Sequence, residues 1–210
     1  MTLTGTGCRV LAAIMHGDRD MASNAGGQPG AGVPWRIVGW GFAVALLLLP
    51  FAAMQAGADG VDWSLGDFVV FGVMLGTVGG AFELAVRVSG NWAYRGGAGL
   101  GLLVAFLVVW VNLAVGIVGS EHNPWNQLFF VALLIGLAGA CITRFRARGM
   151  SVAMLTTAGA LMAAYGVART NRPEEIGAHL LVELVGTSIF ALMFVGSAAL
   201  FRKAARGQIS

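Results

Sequence analysis

The chain has 210 residues, 57% hydrophobic and 11% charged, with a mean hydropathy of +0.78 and a net charge of +3. A soluble domain carries about a quarter charged residues, so an ordinary soluble enzyme or binding domain is excluded. The excess positive charge is small and scattered among connections, which excludes nucleic acid as a partner and points to the lipid bilayer.

Residues 1–34 hold no apolar run followed by a cleavage site, so they do not read as a secretory signal. Ala22–Val33 is a Gly-, Ala- and polar-rich linker by composition. This segment is expected to be a disordered cytoplasmic tail, and Met15 and Met21 are alternative starts within it.

Six apolar runs follow, at about 35–54, 68–88, 98–119, 128–143, 151–168 and 180–201. Each is close to the roughly 20 residues that cross a bilayer as a helix. The expected fold is therefore all-α: a polytopic membrane bundle of six helices over residues 35–203, with a short tail at 204–210. Pro50 sits near the outer end of the first run and need not break it. Ser64-Leu65-Gly66-Asp67 has the spacing of a capping box at the second helix, with Asp in the fourth place. Asn123-Pro124 reads as a cap followed by a first-turn proline at the fourth. Pro173-Glu174-Glu175 puts two acids in a first turn, which would start the sixth helix early and make it roughly 44 Å long.

Basic residues orient these spans. Arg9, Arg19, Arg36, Arg87, Arg95, Arg144, Arg146, Arg148, Arg202, Lys203 and Arg206 fall on one side. Arg169 and Arg172 fall on the other. Eleven against two places both termini in the cytoplasm by the positive-inside rule. Trp35, Trp63, Trp92 and Trp125 lie at span ends, where amphipathic rings prefer the interface.

In lipid, helices associate through small residues and interhelical hydrogen bonds. Three stripes are expected to meet inside the bundle. They are Gly72, Gly76, Gly80, Glu83 and Arg87 on the second helix; Gly97, Gly101, Ala105, Asn112, Gly116 and Gly119 on the third; and Glu175, His179, Glu183 and Thr187 on the sixth. The glycine stripe of the second helix reads as close packing within the monomer, or as a GxxxG-type interface with a second copy or another membrane protein.

Glu83 lies inside its span, where a carboxylate is expensive and marks a functional candidate. Arg87, one turn on, is its natural ion-pair partner. Asn112 is expected to bridge two helices, and Trp110 to pack within its span. Glu121, His122 and Asn123 form a tight polar loop, with Asn123 as cap. His122, His179, Glu183 and Glu121 all fall at the periplasmic end, where imidazole and carboxylate ligands can hold zinc. Of these, His122, His179 and Glu183 are the metal candidates, but their spacing is not that of a compact ligand motif, so no metal and no cofactor is expected.

Cys8 and Cys141 form no CxxC and no Cys/His cluster. HExxH, GxSxG and P-loop motifs are absent from the sequence, and Ser151, Thr156 and Thr157 have no His or Lys in their span. Glu83-Leu84 and Glu183-Leu184 hint at a three-plus-three inverted repeat, without an alignment of the halves to support it.

Trp110–Pro124 reads W-V-N-L-A-V-G-I-V-G-S-E-H-N-P. It resembles a motif of small uncharacterised bacterial inner-membrane proteins, W-x-N-L-A-V-G-I-x-G-S-E-D-N-P, and the likeness extends over the first four spans through Asp62-Trp63-Ser64 and Glu83-Leu84-Ala85. His122 replaces the usual Asp, against any role needing paired acids at 121 and 122. The resemblance implies a bacterial origin and an inner-membrane location, and no activity. Sequence alone therefore favours a non-catalytic membrane component for binding or assembly. A small-solute transporter or channel, or a membrane enzyme with a periplasm-facing His/Glu site, are the alternatives.

Overall fold

A computed structural model describes residues 35–58, 60–120, 122–171 and 180–207. The described residues are helices joined by turns and irregular connections, with no strand among them. The helices are α1 (Trp35–Gln55), α2 (Leu65–Val88), α3 (Trp92–Ala114), α4 (Gln127–Ile142, preceded by a 3-10 turn at Pro124–Asn126), α5 (Ala147–Thr170) and α6 (Leu180–Arg206). All six spans, counting the 3-10 turn with α4, are long and apolar enough to cross a membrane. The expected tail at 1–34 and the early start of the last helix at Pro173 lie outside the described residues.

The chain divides into two compact units at Leu46–Leu47. In the first, residues 35–46 are helical with no buried side chain. The second holds the remainder of α1, in which the helix runs unbroken through the buried Pro50, together with α2–α6. Within it α6 packs on α5 and α3, α4 packs on α5, and α2 packs on α3. Helix α5 is the most enclosed span, with 44% of its window buried against 6% for α2.

Local chemistry accounts for the boundaries. Ser64 and Asp67 complete the capping box: the Ser64 hydroxyl accepts from the Asp67 N–H at 3.3 Å, and the Asp67 carboxylate accepts from the Ser64 N–H at 2.7 Å. Helix α3 begins at Trp92, earlier than expected, because Asn91 caps it by accepting from the Ala93 N–H at 2.8 Å. The polar Asn91 and Arg95 mask this turn in the hydropathy. Arg95 also reaches back to the end of α2, donating to the Ser89 carbonyl at 2.9 Å and the Val86 carbonyl at 3.3 Å. The same helix stops at Ala114 rather than Gly119, since Gly116 and Gly119 turn the chain with φ of +77° and +73°.

The glycine stripes separate into packed and open ones. On α3, a Cβ at Gly97 would sit 3.1 Å from the Phe201 ring, and one at Gly101 3.1 Å from Met154 Sδ and Ser197 Oγ. Ser197 Oγ also donates to the Gly97 carbonyl at 2.7 Å, a polar link between α6 and α3. On α2 the expectation is overturned: Gly76 and Gly80 have no atom within 4 Å of an added Cβ, and Gly72 only touches Leu47. Helix α2 turns a different face inward. Phe71 is its buried residue and Phe82 reaches Gly99 of α3. Trp63 and Phe71 join Phe106 and Trp110 of α3 in an aromatic cluster, with the Phe71 and Trp110 centroids 4.6 Å apart.

This contrast predicts two opposite outcomes. A Cβ at Gly136 would run into Thr157 Oγ1, which is buried and already donates to the Ala153 carbonyl. Gly136→Ala is expected to destabilise by about 1–3 kcal/mol, and Gly76→Ala, with open space for its Cβ inside a helix, to stabilise by about 0.5–1 kcal/mol. Thermal unfolding of the purified variants in one detergent compares them.

Candidate functional site

Polar chemistry in the second unit collects at two ends with an apolar barrier between. One end is basic. It carries Arg87 on α2, Arg95 on α3, Arg144, Arg146 and Arg148 at the α4–α5 connection, and Arg202, Lys203 and Arg206 on α6. Tyr94 ties these elements together by donating its hydroxyl to the Phe145 carbonyl at 2.7 Å and meeting the Phe201 ring edge-on at 5.0 Å. Lys203 sits 4.5 Å above the Trp92 ring. Glu83 and Arg87 form a loose i,i+4 ion pair at 3.6 Å, with the Glu83 side chain 17% exposed and that of Arg87 71%. At that exposure the pair adds little stability.

The α4–α5 connection is tightly wound. Arg144 and Phe145 adopt φ of +50° and +57°, the left-handed region that non-glycine residues avoid. Their N–H groups close turns onto the Cys141 and Ala140 carbonyls at 2.9 and 3.0 Å. Cys141 itself is exposed.

At the other end the connection between α3 and α4 is built around two asparagines. Asn126 is buried. Its Oδ1 accepts from the Val118 N–H at 3.0 Å, and its Nδ2 donates to the Ser120 carbonyl at 2.7 Å and the Val118 carbonyl at 3.3 Å. Asn112 Nδ2 donates to the Asn126 carbonyl at 2.9 Å, joining the last turn of α3 to the start of α4. Asn123 caps the 3-10 turn through the Trp125 N–H and donates to the Val118 carbonyl. His122 is exposed.

Glu183 closes this end from α6. Its Oε1 accepts from the Gly119 N–H at 3.0 Å, and its Oε2 lies 3.4 Å from Arg169 Nη1, both side chains being 9% exposed. Sequence reading assigned Arg169 to a loop and left Glu183 as a ligand candidate; the structure makes them a buried ion pair between the end of α5 and the start of α6. The signal was present in the α5 register: Leu161, Tyr165 and Arg169 recur every fourth residue, and the first two are buried. Glu121 and His179 lie outside the described residues, and among those described no three His, Cys, Asp or Glu side chains converge.

Between the ends lies an apolar layer. Val104, Val108, Phe129 and Leu161 have no exposed surface and Phe194 has 2%. Thr187 and Ser151 are buried as well, and their hydroxyl oxygens have no hydrogen-bond partner among the described residues.

On the basic side of this layer a cavity of about 370 Å³ opens between α2 and α4, floored by α3. Ala81 and Ala85 form one wall, Leu137 and Ala140 the other, and Gly101 and Ala105 the floor. A second cavity of about 520 Å³, lined by Arg144, Arg146, Arg148 and Ser89, shares Val88, Tyr94 and Phe145 with the first. Sequence reading missed both, because they depend on the spacing between α2 and α4.

The chain matches no protein-family model, no curated protein and no solved structure.

Proposed function

We propose that this is a non-catalytic component of a bacterial inner membrane, with both termini in the cytoplasm, that works by binding or assembly within the bilayer. The fully buried layer of Val104, Val108, Phe129 and Leu161 carries the reading, because it separates Glu83 from Glu183 and Asn112. A permeation path needs polar or hydrated groups in sequence across the bundle. Glu183 is instead engaged by Arg169 and the Gly119 N–H, and the Asn112 Nδ2 by the Asn126 carbonyl, while the buried Asn112 Oδ1 has no hydrogen-bond partner among the described residues. The six apolar spans support a membrane location, and the gathering of basic side chains at one end supports the orientation. The lipid bilayer is then its first partner. The open glycine-bearing face of α2 leaves room for a second copy or another membrane protein.

Cysteine accessibility tests this in native membranes. In a background lacking Cys8 and Cys141, Thr187→Cys, Ser151→Cys and Ser197→Cys are expected to resist membrane-impermeant thiol reagents from both sides. Gly207→Cys is expected to react only from the cytoplasmic side. Reaction of the three core cysteines from both sides would establish a water path and favour a transporter; labelling of Gly207→Cys from outside would reverse the orientation.

A further inference from the structure

The two adjoining cavities together match the chemistry of an amphiphile. The groove between α2 and α4 is apolar along its length, and its volume falls within the roughly 300–1,000 Å³ of small-molecule sites. Leu84 and Leu137, which line it, are 53% and 57% exposed, so the slot opens sideways towards the surrounding lipid. At its basic end Val88, Tyr94 and Phe145 line both the slot and the adjoining cavity bearing Arg144, Arg146 and Arg148. None of these three guanidinium groups makes an ion pair or hydrogen bond among the described residues. Their backbone is held: Tyr94 fixes the Phe145 carbonyl, and the turns onto Cys141 and Ala140 fix Arg144 and Phe145. Phe145 is both a wall of the slot and a neighbour of two of the arginines, which joins the apolar and basic parts in one element.

We propose that this site holds an anionic phospholipid, with one acyl chain in the slot and the phosphate among Arg144, Arg146 and Arg148. Guanidinium groups pair with phosphate oxygens in a bidentate fork, and basic pockets between membrane helices suit anionic head groups. Three positive groups with no partner among the described residues, at the mouth of an apolar slot, select a negatively charged lipid over a zwitterionic one of equal chain length. The proposal deepens the reading of the chain as a binder within the bilayer, and the two fail separately, because core cysteines that react with impermeant reagents overturn that reading whatever lipid is retained.

The test is native mass spectrometry of the full chain in mild detergent, titrated with phosphatidylglycerol or phosphatidylcholine of matched chains. Wild type is expected to retain phosphatidylglycerol preferentially, in one-to-one stoichiometry. Replacing Arg144, Arg146 and Arg148 by Gln is expected to weaken that retention by on the order of five-fold per arginine, and that of phosphatidylcholine by less, because choline already balances its phosphate. Because loss of positive charge can disturb insertion, Ala85→Phe is the second variant: it fills the slot, leaves the charges in place and should lower retention of both lipids. Equal retention of the two lipids by wild type overturns the proposal, as does unaltered retention in either variant. Displacement of phosphatidylglycerol by equimolar inorganic phosphate or oleate overturns the choice of a phospholipid as occupant.

Discussion

Arg169→Met is expected to destabilise the protein by about 3–5 kcal/mol, the cost of removing one partner of a buried ion pair and stranding the other. The Glu183 carboxylate would be left with the Gly119 N–H at 3.0 Å while remaining enclosed where α5, α6 and the α3–α4 connection meet. Glu183→Leu is expected to destabilise as well, since it removes the 3.4 Å contact with Arg169 and the acceptor from Gly119 together. The pair itself contributes much less than either single loss, because its attraction offsets the desolvation of both charges. The double variant Arg169→Met/Glu183→Gln should therefore recover more than half of the single Arg169→Met loss, its amide oxygen still accepting from Gly119. Unfolding in detergent micelles gives the three values, and a silent Arg169→Met would mean that the 3.4 Å contact carries no energy.

That ion pair also shows which part of the site the sequence hides. Arg169 and Glu183 stand 14 positions apart on consecutive helices; the spacing of Leu161, Tyr165 and Arg169 places Arg169 on the buried face of α5, but nothing local names Glu183 as its partner. The spans themselves were legible because hydropathy and helix length are linear properties of the chain. The caps at Ser64 and Asn123 were legible too, since a cap is made within a few residues. The end of α3 was not: Val115, Ile117 and Val118 prolong the apolar run beyond the helix. Val118 is fully buried as a loop residue, and hydropathy cannot separate an apolar loop that plugs a bundle from one more helical turn. Gly72, Gly76 and Gly80 mark the opposite failure. Their spacing places them on one face, but the bulk of Phe71 and Phe82 decides which face of α2 meets α3.

The asparagine-held turn at the α3–α4 connection gives the second large expected effect. Asn126→Ala removes three side-chain hydrogen bonds and leaves the buried Val118 N–H without its acceptor. An orphaned buried group costs about 1–3 kcal/mol, and the lost donors to Ser120 and Val118 add to it, so a total of about 2–4 kcal/mol is expected. Gly116→Ala strikes the same turn from the other side. Its φ of +77° strains any side chain, and its Cβ would lie 2.5 Å from the Ser120 carbonyl group and 2.7 Å from Asn126 Nδ2. Either substitution alone pries the end of α3 from the start of α4 and loosens the Gly119 N–H that faces Glu183. Sharing one turn, the two changes should be sub-additive, because Asn126→Ala deletes an atom that the new Cβ would strike and the turn can be released only once. A double-mutant cycle by thermal unfolding measures the coupling. Full additivity would show that Gly116 and Asn126 act on separate structures, against the single hydrogen-bonded turn that joins α3, α4 and Glu183.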